Sequence, residues 1–201
     1  GSTITVTVRD EAGQTASASL YQPSVVKEPG SDVWTKIEPN DGAYSMAGAV
    51  ALQGDYVLAA GAHYKAPKVV GSLRRYNQAG QWTGEGWSKP HTAWTALEWL
   101  KDGNFGPSGL AVDAEQNIIL VGTGLDGDQP RSYVARFHPD GSLDWEVPGL
   151  VGTKARGVGV QPDGTIYVAG ARRTGVGPDR WDMEVSVFDA TGKAYGPVAY
   201  G

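Results

Sequence analysis

Short apolar runs, each bracketed by turn-forming residues, recur along this chain. Three of them end on a glycine: GDYVLAAG (54–61), EQNIILVG (115–122) and PDGTIYVAG (162–170). Before each stands a strand of small residues that opens on glycine, GAVAL (48–52), GLAVD (109–113) and GVGVQ (157–161). After each comes an alternating strand closed by a turn, SLRRYNQAG (72–80), YVARFHPDG (133–141) and VSVFDATG (185–192). Strict alternation over a few residues is the mark of a half-buried strand, and Asp, Asn and Gly between such runs mark the turns.

A tryptophan strand completes the unit. VWTKIE (33–38), AWTALE (93–98) and LDWEVP (143–148) place Trp34, Trp94 and Trp145 at one repeat position, 60 and 51 residues apart. Four short strands repeated in tandem about every 50 residues predict an all-β chain of β-propeller blades, each of four antiparallel strands. A lone twisted sheet cannot bury either face, so successive sheets must stack. On this reading Gly48, Ala49, Gly157 and Gly159 suit the crowded innermost strand. The three tryptophans then fill the wider seams between sheets. Gly61, Gly122 and Gly170 mark the ends of the apolar strands. Blades are expected at about 33–93, 94–144 and 145–201.

The run W-T-x-I-E … GAVAL … GDYVLAAG … LRRYNQAG resembles the bacterial seven-bladed β-propeller (SBBP-type) repeats, over about residues 33–200. It departs from that pattern at Gln53-Gly54-Asp55 and at Gln116-Asn117, where an Asp-Gly turn is expected. The resemblance implies a bacterial secreted or cell-surface scaffold, and it implies no particular chemistry.

The N-terminal stretch, residues 1–20, reads as a β-hairpin. It is either the end of a preceding blade, because VTVRDEAGQ parallels VSVFDATGK, or the closing hairpin of a PKD- or immunoglobulin-like domain. Residues 21–32 read as a linker. Three full units and a partial one predict part of a larger or oligomeric ring, with self-association through open blade edges.

Composition narrows the function classes. The net charge is −5 and no basic run exceeds the pairs Arg74–Arg75 and Arg172–Arg173, which argues against nucleic acid as a partner. There is no cysteine, which removes disulfides and thiolate chemistry. No apolar run approaches the roughly 20 residues of a membrane-spanning helix.

The densest candidate chemistry lies in WTGEGWSKPHTAWTALEW (82–99). There Trp87 and Trp99, with Glu85 and His91, form a candidate platform for sugar rings, since an indole face matches the apolar face of a sugar. Asp126 and Asp128 in GLDGDQP are a weak calcium candidate, because Pro130 breaks the loop spacing. His63, His91 and His138 lack metal-type spacing. Asp113 and Asp163 are the acids nearest the expected hub, and both read better as turn residues. The expected function is a non-enzymatic binding or interaction module that presents loops to protein or glycan, with no cofactor. The alternative is a polysaccharide-active hydrolase or lyase with acids at the hub.

Overall fold

The computed structural model describes residues 2–9, 15–22, 45–65, 68–81, 83, 106–126, 129–175 and 180–200. All the regular structure among them is β. Strands β1 (Ser2–Arg9) and β2 (Thr15–Gln22) form a hairpin. Strands β3 (Ser45–Gln53), β4 (Tyr56–Lys65) and β5 (Lys68–Tyr76) form an antiparallel sheet. A second sheet takes β6 (Gly106–Val112), β7 (Ile118–Asp126), β8 (Gln129–Phe137) and β9 (Leu143–Val151) in sequence order. The third repeats that order with β10 (Thr153–Val160), β11 (Ile166–Arg173), β12 (Trp181–Phe188) and β13 (Ala194–Tyr200).

The sheets stack by their first strands. β6 lies against both β3 and β10, while β2 lies against β3. Glycine permits this crowding. A Cβ on Gly48 would run into the Pro107 carbonyl, and one on Gly109 would sit 3.0 Å from the Gly157 Cα and 2.8 Å from Val121. Larger residues there would push adjacent sheets apart.

Successive sheets share two buried seams. Leu58, Ala60 and Leu73 of the first sheet pack with Ile118, Leu120, Ala135 and Phe137 of the second. The opposite face of the second sheet, with Ile119, Val121 and Val134, packs with Ala155, Ile166, Val168 and Phe188 of the third. Strand β7 of the middle sheet is thus apolar on both faces, which is why IILV reads as an unbroken run.

Trp145 borders this second seam. Its Nε1–H donates to the Ala190 carbonyl across the seam at 3.0 Å, and its ring lies against Gly192. Trp34 and Trp94 lie outside the described residues.

Two expectations change. The tryptophan strand does not open a unit: β9 hydrogen-bonds to β8, with Trp145 opposite Arg136, so it closes the second sheet. The break therefore falls at Gly152, between Val151 and Thr153, instead of at 144/145. A tandem repeat has a period but no phase, and the short turn at 138–142 makes β9 the partner of its chain neighbour.

The apolar strands also run on past Gly61, Gly122 and Gly170, to Lys65, Asp126 and Arg173. Each of these glycines stands opposite a bulge in the first strand, between Ala47 and Ala49, Pro107 and Gly109, and Ala155 and Gly157. At Gly170 a Cβ would strike the Lys154 carbonyl. The glycine is there to let the bulged strand come close.

Candidate functional site

A concavity opens in the second seam, among the outer strands of the second and third sheets. Its walls come from Val134 of β8, Val147 and Pro148 of β9, and Val168 and Phe188 of β11 and β12, around about 200 Å3 of space. Alternation along β11 and β12 carries Ile166, Val168 and Arg172, and Phe188, Ser186 and Glu184, to this one face. The small residues Gly149, Ala194 and Gly196 keep it open.

Polar chemistry gathers at one end. Glu184 is 7% exposed and forms an ion pair with Arg172 through its Oε2 and the guanidinium Nε. Its other oxygen accepts from the Ser186 hydroxyl at 3.0 Å. The Arg172 Nη2 is buried with no acceptor among the described residues. At the neighbouring rim the Ser132 and Thr153 hydroxyls share a hydrogen bond of 2.7 Å. The positions equivalent to Arg172 and Glu184 in the second sheet are Gly124 and Tyr133, which occupy the same registers relative to Gly122 and Gly170. Glu184 is buried and Arg172 is partly exposed, and among the described residues only the second seam carries such a pair at these positions, which sets it apart from the first. The pair leaves the cleft nearly neutral, with one hydrogen-bond donor to spare. It suits an uncharged ligand that has an apolar face and an accepting oxygen.

Asp113 and Asp163, the acids nearest the expected hub, are committed. Asp113 is 6% exposed, takes 2.7 Å and 3.2 Å bonds from Asn117, and pairs with Arg136 at 2.9 Å. Arg136 also reaches Asp144 at 3.1 Å and donates across the seam to the Ala190 carbonyl at 3.1 Å. Asp163 is an exposed turn residue whose Oδ1 accepts from Thr165 N–H at 2.9 Å. That bond and the Thr165 hydroxyl hold its carboxyl below the usual carboxylate range. His138 is exposed, 3.8 Å from Asp144.

Of the residues singled out for ligand binding, Glu85, Trp87, His91 and Trp99 lie outside the described residues, as does Asp128. Asp126 ends β7. Among the described residues no group of three or more His, Asp or Glu could hold a metal ion, and no helix is long and apolar enough to cross a membrane.

Sequence reasoning missed the Arg172–Glu184 pair, although two charges interrupting the alternation of IYVAGARR and WDMEVSVF were a visible signal. It also missed the arginine before the aromatic in LRRY and VARF. Arg75 donates to the Pro139 carbonyl at 3.3 Å as Arg136 donates to Ala190, so one residue type ties each sheet to the next turn.

A family model described as a β-propeller domain of unknown function (DUF5122) matches residues 117–144, which run from the end of the β6–β7 turn into β9. No curated protein matches the chain. Among solved structures, a protein of unknown function from Bacteroides caccae is similar, with 11% identity and a TM-score of 0.46. The match covers 81% of this chain and 48% of that one, so this chain spans about half the length of that structure. The stacked three- and four-stranded antiparallel sheets and the family match define an all-β chain of the β-propeller kind.

Proposed function

We propose that this chain is a non-enzymatic binding module of a bacterial secreted or cell-surface protein, built on SBBP-like repeats and presenting a seam cleft and loops to a glycan or protein. The observation that carries the reading is the cleft itself. Apolar walls meet the Arg172–Glu184 pair, its carboxylate buried, with one guanidinium nitrogen unpartnered among the described residues. A neutral sugar would lay its apolar face on Val168 and Phe188 and accept from Arg172. The segment 82–99, with Trp87 and Trp99, is the second contact surface in this proposal. A hydrolase or lyase would need two acids facing one pocket; Asp113 is tied to Arg136 and Asp163 to its turn, which favours the binding role.

A glycan array followed by calorimetry tests it, comparing the natural chain with Ala194→Phe, which plugs the cleft, and with Trp87→Ala/Trp99→Ala. Binding that falls at least about tenfold in either variant supports the reading, since tenfold is the loss of one good contact. Neutral glycans that bind neither protein better than background would sink its glycan arm. Hydrolysis of a bound polysaccharide would replace it with the enzyme.

A further inference from the structure

The cleft in the second seam is a recess of about 200 Å3 whose walls run down to the core residues Val134, Val168 and Phe188. It is smaller than the roughly 300 Å3 of ordinary small-molecule pockets, so it admits one ring of a ligand and not a chain passing through. Its polar end has unused capacity. Glu184 stands opposite Gly170, and Arg172 is its diagonal neighbour on β11, within reach of a long side chain. The Glu184 side chain is 9% exposed and lines the cleft. Its Oε1 accepts from the Ser186 hydroxyl, while its Oε2 meets Arg172 as an ion pair and makes no hydrogen bond among the described residues. A carboxylate has about four acceptor sites, so Glu184 can still accept. Beside it the Arg172 Nη2 is buried and without an acceptor among the described residues. Buried polar atoms left so are costly, and a partner is expected for them.

A spare donor beside a spare acceptor selects among ligands. The charges of the pair cancel, so an ammonium or a carboxylate would enter the cleft without a counter-charge. An acetamido group does not match, because its trans amide turns the carbonyl and the N–H to opposite sides. Two hydroxyls on adjacent ring carbons do match: they lie side by side, and each can donate or accept. A pyranose that carries such a diol also has an apolar face for Val168 and Phe188.

We propose that the cleft holds the terminal ring of a neutral glycan by a vicinal diol, one hydroxyl accepting from Arg172 and its neighbour donating to Glu184. The inference rests on the glycan reading above and adds which part of the glycan is gripped. The Arg172 side chain is 28% exposed, so its guanidinium can turn toward an entering oxygen while the seam stays packed. The ring is a terminal one because the recess ends on the seam core, which leaves one way out for the rest of the glycan.

Calorimetry with tetramers of glucose, mannose and galactose tests the proposal, each used with its terminal vicinal hydroxyls free and O-methylated. At least one free tetramer should bind, and methylation should weaken it at least about tenfold, the worth of one good contact. Exchanging both charged residues, Arg172→Met/Glu184→Met, is expected to leave the fold intact, since apolar residues of similar volume replace such a pair at little cost. In that variant the free and methylated tetramers should bind alike, a loss of discrimination that a merely structural role of the pair would not produce. Glu184→Gln keeps the shape and leaves uncompensated only the partly exposed Arg172, and it should reduce the discrimination as well. Equal binding of free and methylated tetramers by the natural chain overturns the proposal and leaves the glycan reading standing. Discrimination that survives both variants overturns it too, by placing the diol elsewhere, for instance on segment 82–99. If no tetramer binds, the proposal falls, and the array decides the glycan reading separately. A glutamine-rich peptide, whose carboxamide also sets an acceptor beside a donor, overturns it in favour of a protein ligand if it binds where the tetramers do not.

Discussion

Gln116 holds a φ of 68°, the left-handed conformation that Gly164 adopts at the equivalent turn with a φ of 84°. A side chain is disfavoured in that conformation, and glycine relieves it. The Gln116 carbonyl, which accepts from Gln53 at 2.7 Å, would be unaffected. Gln116→Gly is therefore expected to stabilise the protein by about 1 kcal/mol, read as a higher denaturation midpoint at constant slope. The turn aspartates act in another way. Asp189 accepts from the Thr191 hydroxyl, Thr191 N–H and Lys193 N–H, at 2.6, 2.8 and 3.0 Å. These bonds, the Thr191 hydroxyl foremost, lower its carboxyl below the ordinary value of 3.8. The depressed value means that its stabilisation is fully present above about pH 4 and is lost as pH falls through the folded value. The stability difference between the natural chain and Asp189→Ala should accordingly shrink as pH drops from 5 to 2. A constant difference across that range would refute the assignment.

Between elements, Trp145 and Arg136 converge on one acceptor, the Ala190 carbonyl in the β12–β13 turn. Trp145→Phe keeps a ring in the seam and loses one hydrogen bond, an expected loss of about 1 kcal/mol. Trp145→Ala also empties the space beside Gly192, and about 3 kcal/mol is expected. Urea denaturation of the two variants separates the polar part from the packing part. Arg136 carries a second duty, since it neutralises the buried Asp113. Arg136→Leu should cost about 3 kcal/mol by stranding that carboxylate, and adding Asp113→Asn should recover a large part. Equal losses in the single and double variants would show that packing, not charge, governs the site. The pair of residues was readable only in part. The alternation of YVARF places Arg136 on a face, but two of its three partners, Asp113 and Ala190, are 23 and 54 residues away. Nothing local encodes those distances.

At the scale of the whole molecule the seams are graded by their glycines. Gly109→Ala should destabilise the protein by about 1–3 kcal/mol, because the added carbon meets Val121 and the third sheet at 2.8–3.0 Å. Gly157→Ala, at the same repeat position, should be close to neutral in the protomer. Thermal unfolding of both variants compares a filled seam with an open face in a single chain. The candidate cleft belongs to this scale too. Its walls come from two sheets, and Arg172 and Glu184, on neighbouring strands, face the same seam.

Period, strand number and turn chemistry are local properties, and alternation with glycine at left-handed positions determined them from the residues alone. The all-β stack of repeated sheets, the turns at 77–80, 138–141, 161–164 and 189–192, and the place of Trp145 in a seam all followed from that information. Tertiary structure decided the rest. It set where one sheet ends and the next begins, because phase depends on which neighbour a strand bonds. It gave Gly61, Gly122 and Gly170 their role opposite bulges, because close approach is a relation between strands. It joined Arg172 to Glu184, since a strand's pattern says which face a residue takes but not what lies against it.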